Sequence, residues 1–103
     1  MKLEEVKALF QSDELKELCR QYGVARLSVF GSTARNEATE QSDLDLLVSF
    51  AKPPEKFGLL EFVALEDKLA EATQHKVDLV MESSLSGRRG EHIRRDLQVI
   101  YAA

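Results

Sequence analysis

Residues 31–50 read GSTARNEATEQSDLDLLVSF, and this stretch constrains the chain more than any other. Leu44, Leu46 and Val48 alternate with Asp43, Asp45 and Leu47. Period two belongs to a strand that buries one face. Two carboxylates one residue apart then share the opposite face. Strands are poor in Asp, so a pair in one strand needs a chemical reason. Separated from Asp43 by ten residues, Gly31-Ser32 closes a preceding strand, and a Gly-Ser turn opening a short helix offers backbone N–H groups to an anion. Glycine at position 31 lets the backbone approach closely. A phosphate cradle beside a carboxylate pair is the minimum apparatus for chemistry on a nucleoside triphosphate.

A third acidic residue, Asp78, stands in the apolar run Val77–Met81. A carboxylate among Val, Leu and Val is costly to bury unless it is paired or holds a cation. Three carboxylates on adjacent strands would suit Mg²⁺, a hard cation that prefers oxygen ligands. Two such ions about 3.5–4 Å apart could serve both the attacking and the leaving oxygen. Asp43, Asp45 and Asp78 are therefore the expected catalytic and metal-binding residues. Asp78 would bind the ion nearest the nucleophile and could help accept its proton. Ser32 can donate its hydroxyl and backbone N–H to a β- or γ-phosphate. Arg35, one turn later, can meet phosphate or pair with a nearby acid.

The rest of the 103 residues is organised around these strands. Leu3, Val6 and Phe10 mark a first helical face. Ser12 caps a second helix carrying Leu15, Leu18, Cys19 and Tyr22, and Gly23 ends it. Val24–Phe30 is β-rich. A short helical turn is expected over Thr33–Glu37, a polar loop over 38–42 and a strand over Asp43–Phe50. Pro53-Pro54 breaks the chain. A long helix is expected from about Glu55 to Ala72, with Leu59, Phe62, Leu65, Leu69 and Ala72 facing inward, and Phe57 is also placed in the core. Lys76–Met81 is a third strand and Glu82–Gly87 a loop. Ile93, Leu97 and Ile100 suggest a last helix from about Arg88 to Tyr101. This order predicts one α/β (α+β) domain over residues 1–103, with helices on one face of a mixed sheet of about three strands. If the second and third strands are parallel, their crossover through the long helix should be right-handed.

Composition excludes several classes. Net charge is −4, against the basic balance of a general nucleic-acid binder. No apolar run is long enough to span a membrane. MKLEEVKALF is acidic where a secretory leader is basic. Cys19 has no partner for a disulfide and lies on an apolar stripe, so a buried thiol in a reducing cytoplasm is expected. His75 and His92 lack zinc-ligand spacing and read as surface or helix-end residues. Arg88, Arg89, Arg94 and Arg95 read as a solvated face, with a phosphate or partner contact as the functional alternative.

Phe30-Gly31-Ser32-Thr33-Ala34-Arg35, Ser42-Asp43-Leu44-Asp45-Leu46-Leu47-Val48 and Val77-Asp78-Leu79-Val80 together resemble the minimal nucleotidyltransferase (MNT) family. This family belongs to the DNA polymerase β-like nucleotidyltransferase superfamily. The resemblance runs from about Val24 to the last helix, and all three motifs occur in order. It implies a polymerase β-like core and transfer of AMP from ATP, with Mg²⁺, to a hydroxyl. By motif, Asp43, Asp45 and Asp78 would bind metal, and Gly31 and Ser32 would hold the triphosphate. It also implies a partner, an all-helical HEPN toxin that the MNT protein neutralises, in several cases by attaching AMP to a tyrosine. Two rival readings remain at this point. One is an antitoxin that acts by occlusion alone; the other is a small-molecule transferase of the antibiotic-modifying kind.

Overall fold

The computed structural model describes residues 2–51 and 58–103. Helix α1 spans Leu3–Leu9 and α2 spans Asp13–Gln21. The Ser12 hydroxyl accepts from the Leu15 N–H at 3.3 Å, the expected cap. Gly23 takes the left-handed φ of 67° that ends α2 and turns the chain into strand β1, Val24–Phe30. A four-residue helix α3, Gly31–Ala34, leads to strand β2, Leu44–Phe50. Helix α4 covers Leu59–Thr73 and strand β3 covers Val77–Met81. After a 3₁₀ turn at Glu82–Ser84, helix α5 runs over Gly87–Arg95 and strand β4 over Gln98–Ala102.

The sheet has four strands in the order β3-β2-β1-β4. Strands β1 and β2 are antiparallel, β1 and β4 antiparallel, and β2 and β3 parallel. The mixed sheet is thus as expected, with one strand more than the sequence displayed. The last helix stops at Arg95, and residues 98–102 pair with β1 instead of continuing it. Ile93, Leu97 and Ile100 fit a helical period, but QVIYA is also β-rich, and β1 would otherwise leave an open row of backbone groups. Ile100 fills the main core from a strand, not from a helix.

Three other boundaries move. The turn expected at Thr33–Glu37 sits earlier, at Gly31–Ala34. Asp43 lies just before β2 rather than inside it. Helix α4 starts at Leu59, with Gly58 as N-cap and its N–H held by the Glu61 carboxylate at 2.8 Å. Glu55, Phe57 and the Pro53-Pro54 break lie outside the described residues.

Alternation sorts the sheet's two faces. Leu27, Val29, Leu44, Leu46, Val48, Val77 and Leu79 join Val6, Leu15, Cys19, Leu65 and Leu69 in the main core, so α1, α2 and α4 cover one face. Lys68 of α4 stands 5.3 Å from the Tyr22 ring centre and ties α4 to the end of α2. Phe30, Leu47 and Val80 point the other way and pack on Ile93, so α5 alone crosses the second face. Leu59, expected inward, is 77% exposed, because the first turn of α4 falls short of the core reached by Leu65 and Leu69. Cys19 is fully buried, and burial pushes its thiol up to about 11, so it is an inert core group. His75 Nδ1 meets the Thr73 carbonyl oxygen at 3.0 Å and His92 is exposed, as the spacing argument held.

Leu46 is fully buried at mid-sheet, whereas Leu60 is 83% exposed. Leu46→Ala should cost about 3 kcal/mol in urea unfolding. Leu60→Ala should stay within about 0.5 kcal/mol of wild type.

Candidate active site

The expected site residues gather at one end of the sheet, with Asp45 and Asp78 on the face that α5 crosses. Phe30 pairs with Asp45 across β1 and β2, and Asp45 pairs with Asp78 across β2 and β3. One row across three strands therefore runs from the Gly31 turn through Asp45 to Asp78. Asp45 shares its side of β2 with Leu47, and Asp78 shares its side of β3 with Val80, so both carboxylates leave the sheet on the second face. Asp43, two residues before Asp45, continues that side beyond the strand end.

Gly31 is fixed at this place twice. Its φ is +71°, in the left-handed region. A Cβ there would run into the Asp45 carboxylate, whose Cγ would lie 3.2 Å away. The backbone of the turn and the carboxylate thus touch, and no side chain can separate them. Ser32 is half-buried, and its hydroxyl has no hydrogen-bond partner among the described residues. The Ser32 carbonyl accepts from the Glu37 N–H at 2.8 Å and closes the turn. Thr33 is buried behind it.

The electrostatics of the row are those of crowded like charges. The Asp45 carboxyl is held above its ordinary value of 3.8, first by burial and then by Asp78 and Asp43, while Arg35 works against the rise. None of the three carboxylates has a hydrogen bond or ion pair with a described residue. Asp43 and Asp45 are half-buried and Asp78 is exposed. Among the described residues no three His, Cys, Asp or Glu side chains already stand in a metal-ligating arrangement. Asp45 and Asp78 are neighbours by register, and Asp43 stands two residues before Asp45. An all-oxygen set of negative charges with no cation of its own suits a hard divalent ion such as Mg²⁺.

Arg35 is exposed and pairs with its own chain. Its guanidinium donates to Glu37 Oε2 at 3.2 Å and to Asp96 Oδ2 at 3.1 Å. These bonds, Glu37 first, raise its pKa further. Of the two roles the sequence left open, the acid pairing is present here. Asp96 could not be foreseen as the partner, since 61 residues separate the two. Asn36 was also missed. It adopts φ 58° and accepts from the Leu3 N–H at 3.1 Å, tying the α3 turn to the start of α1.

Beyond Asp78, a cleft of about 580 Å³ wraps the free edge of β3, lined by Leu59, Phe62, Asp78, Ser84 and Arg89 among others. On that edge the Leu79 N–H donates to Glu66 Oε2 of α4 at 2.9 Å. Glu66 carries no sequence signal for this place, and Arg89 stood out only as one of four arginines with a phosphate or partner contact as the alternative to a solvated face. A helix Glu and a helix Arg look alike whether they cap a strand edge or face water.

Comparison with known proteins accounts for this geometry. Residues 12–99 match the model of the nucleotidyltransferase domain family, so the chain belongs to that family and is a nucleotidyltransferase. Its relatives include protein adenylyltransferase MntA of Thermococcus cleftensis, 40% identical over 95 residues, which are 92% of each chain. A solved structure described as a candidate minimal nucleotidyltransferase is 39% identical, covers 95% of both chains and superposes with a TM-score of 0.74. A complex of a tri-AMPylated Shewanella oneidensis HEPN toxin with an MNT antitoxin shares the fold, with a TM-score of 0.64 at 21% identity over 94% of this chain and 73% of that one.

Crowding at Asp45 predicts a trade of stability for function. Between 3.8 and its raised folded value, the folded chain holds a proton that the unfolded chain has released. Stability from this group therefore falls as pH rises through that window. Asp45→Asn should be more stable than wild type at neutral pH, with the gain shrinking toward acid, in urea titrations at both pH values. Gly31→Ala should lose stability by more than about 1 kcal/mol, since it combines left-handed strain with a carboxylate clash.

Proposed function

We propose that this nucleotidyltransferase transfers AMP from ATP to a hydroxyl of a HEPN-family toxin, a tyrosine in the fullest form of the reading, and so acts as its antitoxin. The observation that carries the proposal is the row Gly31–Asp45–Asp78. It sets a backbone turn against two unpaired carboxylates, with Asp43 two residues before the first of them. The 40% identity to an adenylyltransferase over 92% of both chains supports the nucleotide and the protein acceptor.

In this reading Gly31 and Ser32 receive the β- and γ-phosphates, through backbone N–H groups of the turn and the free Ser32 hydroxyl. The α-phosphate would then lie on the Asp45 side of the turn. Asp43, Asp45 and Asp78 would hold Mg²⁺, as two ions, which when bound neutralise phosphate charge and polarise the reacting oxygens. The acceptor oxygen bonds to the α-phosphorus, and the bond from that phosphorus to the α–β bridging oxygen breaks. Pyrophosphate leaves with the bonding pair. Asp78, the exposed carboxylate at the end of the row, takes the hydroxyl proton and passes it to water. Arg35, held by Glu37 and Asp96, keeps a positive charge beside the row and can exchange one of these partners for phosphate. Cytoplasmic action on another protein is consistent with a described chain that has no helix long and apolar enough to cross a membrane.

The test is intact-mass spectrometry of the HEPN protein encoded in the same genome, after incubation with ATP and Mg²⁺. The wild type should add one or more AMP units. Asp43→Asn/Asp45→Asn should lower the rate by about 10³-fold or more, the loss of several kcal/mol of charge stabilisation. A silenced HEPN protein of unchanged mass would replace transfer with occlusion. An unmodified and active one would remove the antitoxin reading altogether.

A further inference from the structure

The row of expected site residues has two ends, and in the reading above the donor uses only one. Gly31 and Ser32 lie on the β1 side of Asp45. On the other side, past Asp78, the sheet stops at the free edge of β3, and the cleft there has Asp78 in its wall. Anything seated in that cleft touches the last carboxylate of the row. In the reading above it would approach from the side opposite the leaving pyrophosphate, the direction an in-line attack on the α-phosphorus requires.

The helix start that borders this cleft is unlike ordinary surface. Leu59 is 77% exposed, Leu60 83% and Val63 41%, on consecutive turns at the start of α4. Leu59 also lines the cleft, with Phe62 beneath it. Across from them Arg89 is exposed and has no acidic partner among the described residues. A small acceptor that fits the cleft would leave Leu60 and Val63 in water. A protein surface would cover them. Strand addition to β3 would have to displace Glu66 from the edge N–H of Leu79.

We propose that this cleft is the acceptor port. A segment of the partner protein docks its apolar face on Leu59, Leu60 and Val63, sets a carboxylate against Arg89, and delivers its hydroxyl to Asp78. The proposal rests on the protein-transferase reading above and adds the surface that selects the acceptor. Leu59, Leu60 and Arg89 then control the acceptor and leave the donor end alone.

Amide-resonance titration of the ¹⁵N-labelled chain with the same HEPN protein locates the surface directly. Shifts should cluster on Leu59–Val63, Ser84 and Arg89. Leu60→Asp and Arg89→Glu, both at exposed positions and checked for fold by their own spectra, should each raise the KM for the protein acceptor about tenfold. The KM for ATP should hold within about twofold. Shifts confined to the β4 edge, Gln98–Ala102, would overturn the port, as would variants that transfer AMP with unaltered acceptor KM. Equal transfer to free tyrosine would overturn protein docking. If the wild type forms no complex and transfers no AMP, the protein-transferase reading fails and the port with it. A complex with normal transfer and shifts elsewhere removes the port alone.

Discussion

The close approach of the Gly31 backbone to the Asp45 carboxylate is the contact on which the rest of the site depends. It requires β1 and β2 to run antiparallel in one fixed register, so that Phe30 faces Asp45. It requires a residue without Cβ at the turn. It also places a negative charge beside backbone N–H groups that would attract an anion. Everything that binds or reacts here has to reconcile that charge with phosphate, and a divalent cation does so most simply.

The same contact explains why the carboxylates carry electrostatic strain. Burial and two like charges both disfavour ionised Asp45, and the described chain supplies only the attraction of Arg35 against them. The fold can tolerate this because the opposite face of β2 is strongly committed. Leu44, Leu46 and Val48 are buried against α1, α2 and α4, so slipping the strand by one residue would send three apolar side chains into water. The core thus holds in place a charge cluster that would not assemble on its own account.

The parallel β2–β3 pair adds a directional element. Parallel pairing brings the start of β3 beside the start of β2, so Asp78 joins Asp45 at the same sheet end and not at the far one. Helix α4, the crossover, then lies along β3 and occupies its edge N–H through Glu66. Its first turn falls beyond the core and stays apolar in the open. The exposed helix start and Asp78 border the same cleft.

The sequence by itself determined the parts governed by local period and local chemistry. Alternation in 44–48 settled which face of β2 carries acid, Ser12 and Gly23 settled the ends of α2, and Gly31 announced a turn only glycine could make. Each depends on neighbours within a few residues. The tertiary structure decided what depends on distant partners. Residues 98–102 became a strand because β1 needed its second edge covered, although their apolar spacing suited a helix equally. Arg35 found Asp96, α5 crossed the second face, and Leu59 stayed outside, each set by chain segments far away in sequence. Periodicity records which residues share a face. It carries no information about what will meet that face, and for this protein the meeting of β1, β2 and β3 at one end is what turns three separate aspartates into a site.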